Sequence, residues 1–160
     1  MKRYELAGVS LLVLGAVGTA TVWFVRPLRS EAHCQVPCGI YDDPARFAQL
    51  REDATTIEKA ITNIKELADK HDPQSLNQAV RWVNTKEEHA ARVMETVSEY
   101  FLAQKVKPVA AGGEGYDAYL KSLADHHAVI VAAMKAKQNA DAKYVEELRK
   151  AIDALAAHYK

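Results

Sequence analysis

The chain has 160 residues, 21 basic and 21 acidic side chains, two cysteines, 49% apolar and 26% charged residues. That length fits one domain. The zero net charge excludes the basic surplus that a nucleic-acid partner needs, two cysteines exclude a disulfide-dense scaffold, and the ordinary apolar and charged fractions exclude wholesale disorder.

The averages mix two unlike segments. Residues 6–25 contain no charged side chain and include Leu11-Leu12-Val13-Leu14 and Val22-Trp23-Phe24-Val25. Twenty helical residues span roughly 30 Å, about the hydrocarbon thickness of a bilayer. A surface helix of a soluble domain carries a charged stripe, and this run has none. Its length suits a permanent anchor, whereas Ser30-Glu31-Ala32 behind it has the small-x-small form of a leader-peptidase site, and both readings stand. Lys2 and Arg3 are balanced by Arg26 and Arg29, so charge does not orient the segment. The expected organisation is a leader over 1–32, removed by a processing protease, and a domain over 33–160. The chain would touch a membrane only through 6–25. The expected location is exported, periplasmic or membrane-associated, and cytoplasmic if the leader is only a propeptide. Taking away 1–32 removes four basic and two acidic residues and leaves 17 and 19, a net charge of −2.

The domain reads as four helices joined by short loops. The first opens at Pro44, behind Asp42 or Asp43 as cap, and carries Ala54, Ile57, Ile61, Ile64 and Ala68 at 3,4 spacing, with Phe47 and Leu50 leading in. It stops at His71-Asp72-Pro73. The second carries Leu76, Val80, Val83, Ala90, Val93, Val97, Tyr100 and Phe101 as far as Lys107-Pro108. A loop holds Gly112, Gly113 and Gly115. The third has Tyr119, Leu120, Leu123, His127, Ile130, Val131 and Met134. The fourth has Tyr144, Val145, Leu148, Ile152, Leu155 and Tyr159, and its boundary with the third, around 135–141, lacks a strong breaker. No stretch alternates with period two. The fold class is all-α, an antiparallel four-helix bundle.

Both cysteines lie in His33-Cys34-Gln35-Val36-Pro37-Cys38-Gly39-Ile40-Tyr41, between the leader and the first helix. Pro37 and Gly39 favour a turn, and Cys-x-x-x-Cys in a turn aims both sulfurs at one centre. The spacing is one residue too long for a thioredoxin motif, the histidine precedes the cysteines where c-type haem needs it after them, and no second cysteine pair completes a structural zinc site. A Cys34–Cys38 disulfide and a metal site remain open. Cleavage after Ala32 would make His33 the N-terminus, whose α-amine has a pKa of about 8 and binds metal once deprotonated. Amine, imidazole, the Cys34 amide nitrogen and two thiolates form a nitrogen–sulfur set that suits Ni(II) or Cu(II).

The stretch His33-Cys34-x-x-Pro37-Cys38-Gly39-x-Tyr41 resembles the nickel hook of nickel superoxide dismutases, followed by a helical bundle of the right length. The resemblance implies a metal-hook loop ahead of the bundle, leader removal, a homohexamer and one nickel ion per chain. It implies that His33 supplies its amine and an axial imidazole, Cys34 its thiolate and amide nitrogen, and Cys38 its thiolate, while Tyr41 lies beside the open face as the catalytic residue. Superoxide is then the substrate: Ni(III) oxidises one to dioxygen, and Ni(II) reduces a second, which leaves with two protons as hydrogen peroxide. Thiolate and amidate donors stabilise Ni(III) by pushing electron density onto the metal. Two departures stand out: Gln35 replaces an acidic residue of some members, and Asp42-Asp43-Pro44 is one residue longer than the common Asp-Pro. The family braces the histidine ring with a glutamate and an arginine. Gln49 or Glu52, and Arg81, Lys86 or His89, are the candidates for those roles. Tyr100, in Ser98-Glu99-Tyr100-Phe101, resembles an acidic-Tyr-Phe stretch of the family and either bonds near Tyr41 or packs in the core.

Other clusters are weaker. His126 and His127 point about 100° apart on a helix and do not share a metal easily, and His127 reads as a core histidine. Glu87-Glu88-His89 lacks the Glu-x-x-His spacing of di-iron bundles. The competing functions are a membrane-anchored bundle with a disulfide, serving as sensor or adaptor without catalysis, and a copper or nickel chaperone that uses the hook without turnover.

Overall fold

The computed structural model describes residues 42–159, so the leader and the hook lie outside the described residues. Within them are helices α1 (Asp43–Leu67), α2 (Pro73–Glu95), α3 (Tyr116–Gln138) and α4 (Ala142–Ala156), a π-helical continuation of α2 (Thr96–Lys105) and a closing 3-10 turn (Ala157–Tyr159), with no strand. Each α-helix packs on two others, in the ring order α1, α2, α3, α4. Arg51–Asp153 and Arg149–Glu58 join α1 to α4 in antiparallel order. None of these helices is long and apolar enough to cross a membrane.

The helix starts follow the sequence chemistry. Asp42 accepts from the Ala45 amide at 2.7 Å, Asp72 from Ser75 at 2.9 Å and Asp141 from Lys143 at 3.1 Å. Each supplies an acceptor to an otherwise orphaned amide, with Pro44 and Pro73 in the first turns. Asp141 also settles the soft boundary: Asn139 is extended, and Asp141, two residues later, caps α4, which begins at Ala142. Gly115 caps α3 at φ 79°, a left-handed conformation that disfavours side chains with a Cβ.

The core is built from Leu50, Ile57 and Ile61 of α1, Val93, Val97 and Phe101 beyond them, and Val145, Leu148, Ile152 and Leu155 of α4. Two expectations are corrected. On α2 the stripe Leu76, Val80, Val83 is exposed, and the core stripe is Lys86, Ala90, Val93, Val97. On α3 the buried positions are His126, Val129, Ala132, Ala133 and Ala136, while His127 and Met134 face outward. The helix is therefore rotated by one residue from the stripe its largest apolar side chains suggest. Small alanines occupy the contact and keep the side chains between neighbouring helices short.

Lys86 is the one buried ammonium of the described residues. Its Nζ donates to the last-turn carbonyls of α3, Lys137 O and, at 3.4 Å, Ala136 O, and pairs with Glu87 at 3.1 Å. A cation at a helix C-terminus satisfies carbonyls that have no amide partner and meets the negative end of the dipole. Replacing Lys86 by Met should cost about 1–3 kcal/mol, since the carbonyls lose their donor in a dry place. Urea denaturation measures this, and a midpoint equal to wild type would show that water takes over the role.

Candidate functional site

His33, Cys34, Cys38 and Tyr41 lie outside the described residues, so the structure describes the platform from which that segment departs. The platform is the first turn of α1, whose Asp42 follows Tyr41 directly. Asp43 Oδ1 accepts from the Tyr100 hydroxyl at 2.7 Å and pairs with the Lys105 ammonium at 3.0 Å. The π-helical turn makes this possible. Residues five apart lie about 140° round an ordinary α-helix, but the wider turn bonds i to i+5, as the Val106 amide does to Phe101 O. Tyr100 and Lys105 thereby share one face, with the ammonium 5.3 Å from the Tyr100 ring centroid. Burial, and then the bond to Asp43, push the Tyr100 phenol above its ordinary pKa. The bond to Asp43 likewise raises Lys105, so phenol and ammonium both hold their protons at neutral pH.

Beneath Asp43 lies an aromatic cluster. Phe47 and Phe101 stack at 4.7 Å, Tyr100 meets Phe101 edge-on at 4.9 Å, and Tyr159 packs on Phe101 at 4.8 Å and on Phe47 at 5.5 Å. Tyr159 donates to Nε2 of the fully buried His126 at 2.8 Å. His126 Nδ1–H donates to Ser122 O at 2.7 Å, which fixes a neutral tautomer. Burial, reinforced by the charge of Asp43 and by Tyr100, pushes the Tyr159 phenol far up. The penultimate residue of the chain thus closes the same end of the bundle that carries Asp42. His158 and Lys121 both bond Asp125, at 2.6 and 2.5 Å, and hold its carboxyl below the usual range.

One turn along α1 is a polar cleft of about 450 Å³ lined by Gln49, Glu52, Asp53, His89 and Arg92 with Ala45 and Ala48. Asp53 is 2% exposed. Its Oδ1 accepts from His89 at 2.6 Å and Arg92 at 3.3 Å, whereas Oδ2 is buried with no partner among the described residues. Burial raises the Asp53 carboxyl above its ordinary range, opposed by His89 and Arg92. Of the residues considered from sequence for bracing a histidine ring, the structure brings Gln49, Glu52 and His89 together in this cleft. It sends Lys86 to the end of α3 and leaves Arg81 exposed. Asp53, Arg92 and Lys105 were missed. Asp53 stands at i+3 from Leu50 and i−4 from Ile57, so a carboxylate inside the apolar seam was the available signal. Nothing local in the sequence marks the π turn that recruits Lys105. Tyr100 packs its ring in the core and bonds Asp43 through its hydroxyl, while Tyr41, the neighbour expected from sequence, lies outside the described residues.

Among the described residues no group of three or more His, Cys, Asp or Glu is arranged to hold a metal ion. His33, Cys34 and Cys38, expected from sequence to supply a nitrogen–sulfur donor set, precede this platform in the chain.

The described residues form an all-helical bundle, and the sequence before its first helix carries the thiols and imidazole expected of a metal-binding redox protein. Residues 28–160 match the family model of the nickel-containing superoxide dismutases, and the chain belongs to that family. It is an oxidoreductase with superoxide as substrate and nickel as cofactor. The non-catalytic membrane sensor finds no support. No curated protein and no solved structure matched the chain.

The buried His126 makes stability pH-dependent. Burial pushes its imidazole below the ordinary value of 6.5. A depressed folded-state value means the unfolded chain takes up the proton first, so stability is full above about pH 6.5 and declines as pH falls toward the folded-state value. The urea midpoint of wild type should fall more between about pH 7 and about pH 5 than that of His126→Gln. Equal pH slopes would show that His126 is not the titrating group.

Proposed function

We propose that the nickel of this dismutase is held by His33, Cys34 and Cys38 after removal of residues 1–32. The match of residues 28–160 to the family carries this reading, because that span includes the whole His-Cys-x-x-Pro-Cys-Gly-x-Tyr stretch and the bundle behind it. The donor set is two thiolates, the Cys34 amide nitrogen, and the amine and imidazole of His33. When bound, nickel supplies a one-electron couple that takes an electron from one superoxide and gives it to another. Two superoxide anions and two protons thus become one dioxygen and one hydrogen peroxide.

The chain's own residues hold and protect this chemistry. Pro37 and Gly39 are turn-favouring residues between and beside the two cysteines, as a segment that brings both sulfurs to one metal would need. Tyr41 would act next to the nickel, its hydroxyl orienting the anion or its proton. Asp43, fixed by Tyr100 and Lys105, anchors the chain two residues beyond Tyr41 and limits how far the hook can stray. Such anchoring matters because small misplacements of a reacting group are costly in rate. One nickel per chain, assembly into a homohexamer, export or membrane association of the precursor through 6–25, and cleavage by a leader-processing protease complete the reading. A cytoplasmic enzyme with a processed propeptide is the variant of it that the short-leader members of the family suggest.

Two experiments test it. Ala32→Phe, which blocks a small-x-small cleavage site, should leave residues 1–32 attached and abolish both nickel binding and superoxide decay. Full activity of the uncleaved chain would overturn the hook assignment. Cys34→Ser and Cys38→Ser should each reduce bound nickel, measured by metal analysis of the processed protein, to background. Nickel retained with no turnover in the unaltered protein would favour the chaperone instead.

A further inference from the structure

His126 has no part in the nickel chemistry proposed above, yet it is the one fully buried imidazole of the described residues. Both ring nitrogens are engaged, Nδ1 by Ser122 O of its own helix at 2.7 Å and Nε2 by the Tyr159 hydroxyl at 2.8 Å. The residues just before them in the chain repeat the pairing nearer the surface, where His158 Nε2 bonds Asp125 Oδ2 at 2.6 Å. Two consecutive residues of the 3-10 turn after α4 are thus fastened to two consecutive residues of α3. A three-residue turn has little of its own to hold it, so these two bonds set where the Tyr159 ring lies.

The ring lies against both side chains that back the Asp43 contact. Phe47 stands one turn after Asp43 on the same side of α1, and Phe101 follows Tyr100, the phenol that donates to Asp43. Tyr159 packs on Phe101 at 4.8 Å and on Phe47 at 5.5 Å. Asp43 and Tyr100 are near enough for their charges to push its phenol further up. Tyr159 is therefore the third wall that keeps Phe47 on Phe101, and with them the Asp43 carboxylate on the Tyr100 hydroxyl. Leu at 126 and Phe at 159 would fill much the same space without a polar group in the core. What the His–Tyr bond adds is direction, because a satisfied buried hydrogen bond selects one arrangement where apolar contact tolerates several.

We propose that the clasp of His158 and Tyr159 on Asp125 and His126 is a positioning element of the dismutase: it sets the first turn of α1, from which the metal segment departs, and turnover depends on it. The effect on turnover rests on the hook reading above, and the effect on α1 rests on the bundle alone. The test compares wild type, Tyr159→Phe, His158→Ala, and Tyr159→Phe combined with His126→Leu, each expressed as the full chain. Urea midpoint, nickel content, turnover per bound nickel, and amide exchange at residues 45–50 and 60–67 are measured. Tyr159→Phe leaves the His126 acceptor bare, so its midpoint should fall. Exchange at 45–50 should quicken on the order of tenfold with 60–67 unchanged, and turnover per nickel should fall roughly tenfold at unchanged nickel content. The double variant leaves neither partner unsatisfied, so its midpoint should recover while the fast exchange and the low turnover persist. His158→Ala cuts only the outer bond and should show the same pattern at smaller size, which keeps the test decisive where a core variant does not fold. Exchange and turnover that recover together with the midpoint would overturn the clasp by reducing it to a contribution to stability. Unchanged exchange at 45–50 in both Tyr159→Phe and His158→Ala would overturn it as well. A wild type that binds no nickel removes the hook reading, and the exchange pattern then decides the clasp by itself.

Discussion

The Asp43 carboxylate, gripped by the Tyr100 hydroxyl and the Lys105 ammonium, ties the start of the bundle to the middle of the chain. Much of the packing at this end of the bundle depends on that contact. It sets the first turn of α1 against the π-helical end of α2, and that turn brings Tyr100 and Phe101 side by side into the core. Phe47 then stacks on Phe101, and Tyr159 closes over both. An ion pair this exposed contributes little to stability by itself. Its value here is geometric: it fixes the first turn of α1 against the end of α2.

A π-helical stretch is poorly bonded and uncommon, and such turns concentrate where function needs a side chain re-aimed. Here the re-aimed pair is Tyr100 and Lys105. The cost is offset by the aromatic cluster beneath, whose rings make tilted and edge-on contacts that add to the apolar burial. The neutral His126 is part of the same economy of space. Its Nε2 accepts a hydrogen bond from the Tyr159 hydroxyl, which would otherwise be an unsatisfied donor, and its Nδ1–H donates to Ser122 O, so a polar pair sits in the core with its hydrogen bonds made. Asp53 is different, with one carboxylate oxygen engaged and the other buried beside a polar cleft without a partner among the described residues.

The opposite end of the bundle follows another rule. There α3 stops early because Asn139 turns the chain and Asp141 restarts it, and Lys86 closes the exposed carbonyls. One ammonium thus satisfies the end of a helix and defines where α2 loses its neighbour. The apolar stripe beyond it exists because a helix was ended, which explains why a single-chain view of α2 reads Leu76, Val80 and Val83 as core.

The sequence by itself determined a great deal. Asp-Pro pairs marked the starts of α1 and α2, the glycine cluster marked the loop before α3, and 3,4 spacing marked α1 and α4, because capping and periodicity are local physics. The stretch 33–41, proposed as the nickel donor set, could be singled out for the same reason: its residues are neighbours in the chain. Only the tertiary structure decided which face of α3 is buried, since alanines at 132, 133 and 136 win a close helix contact over larger residues beside them. It alone joined Asp53 to His89 and Arg92, and Asp43 to Lys105, across separations of 36 to 62 residues that no spacing rule spans. Local pattern specifies helices and their ends. How far each helix runs before its neighbour stops, and which polar groups then find one another, is settled only when they pack.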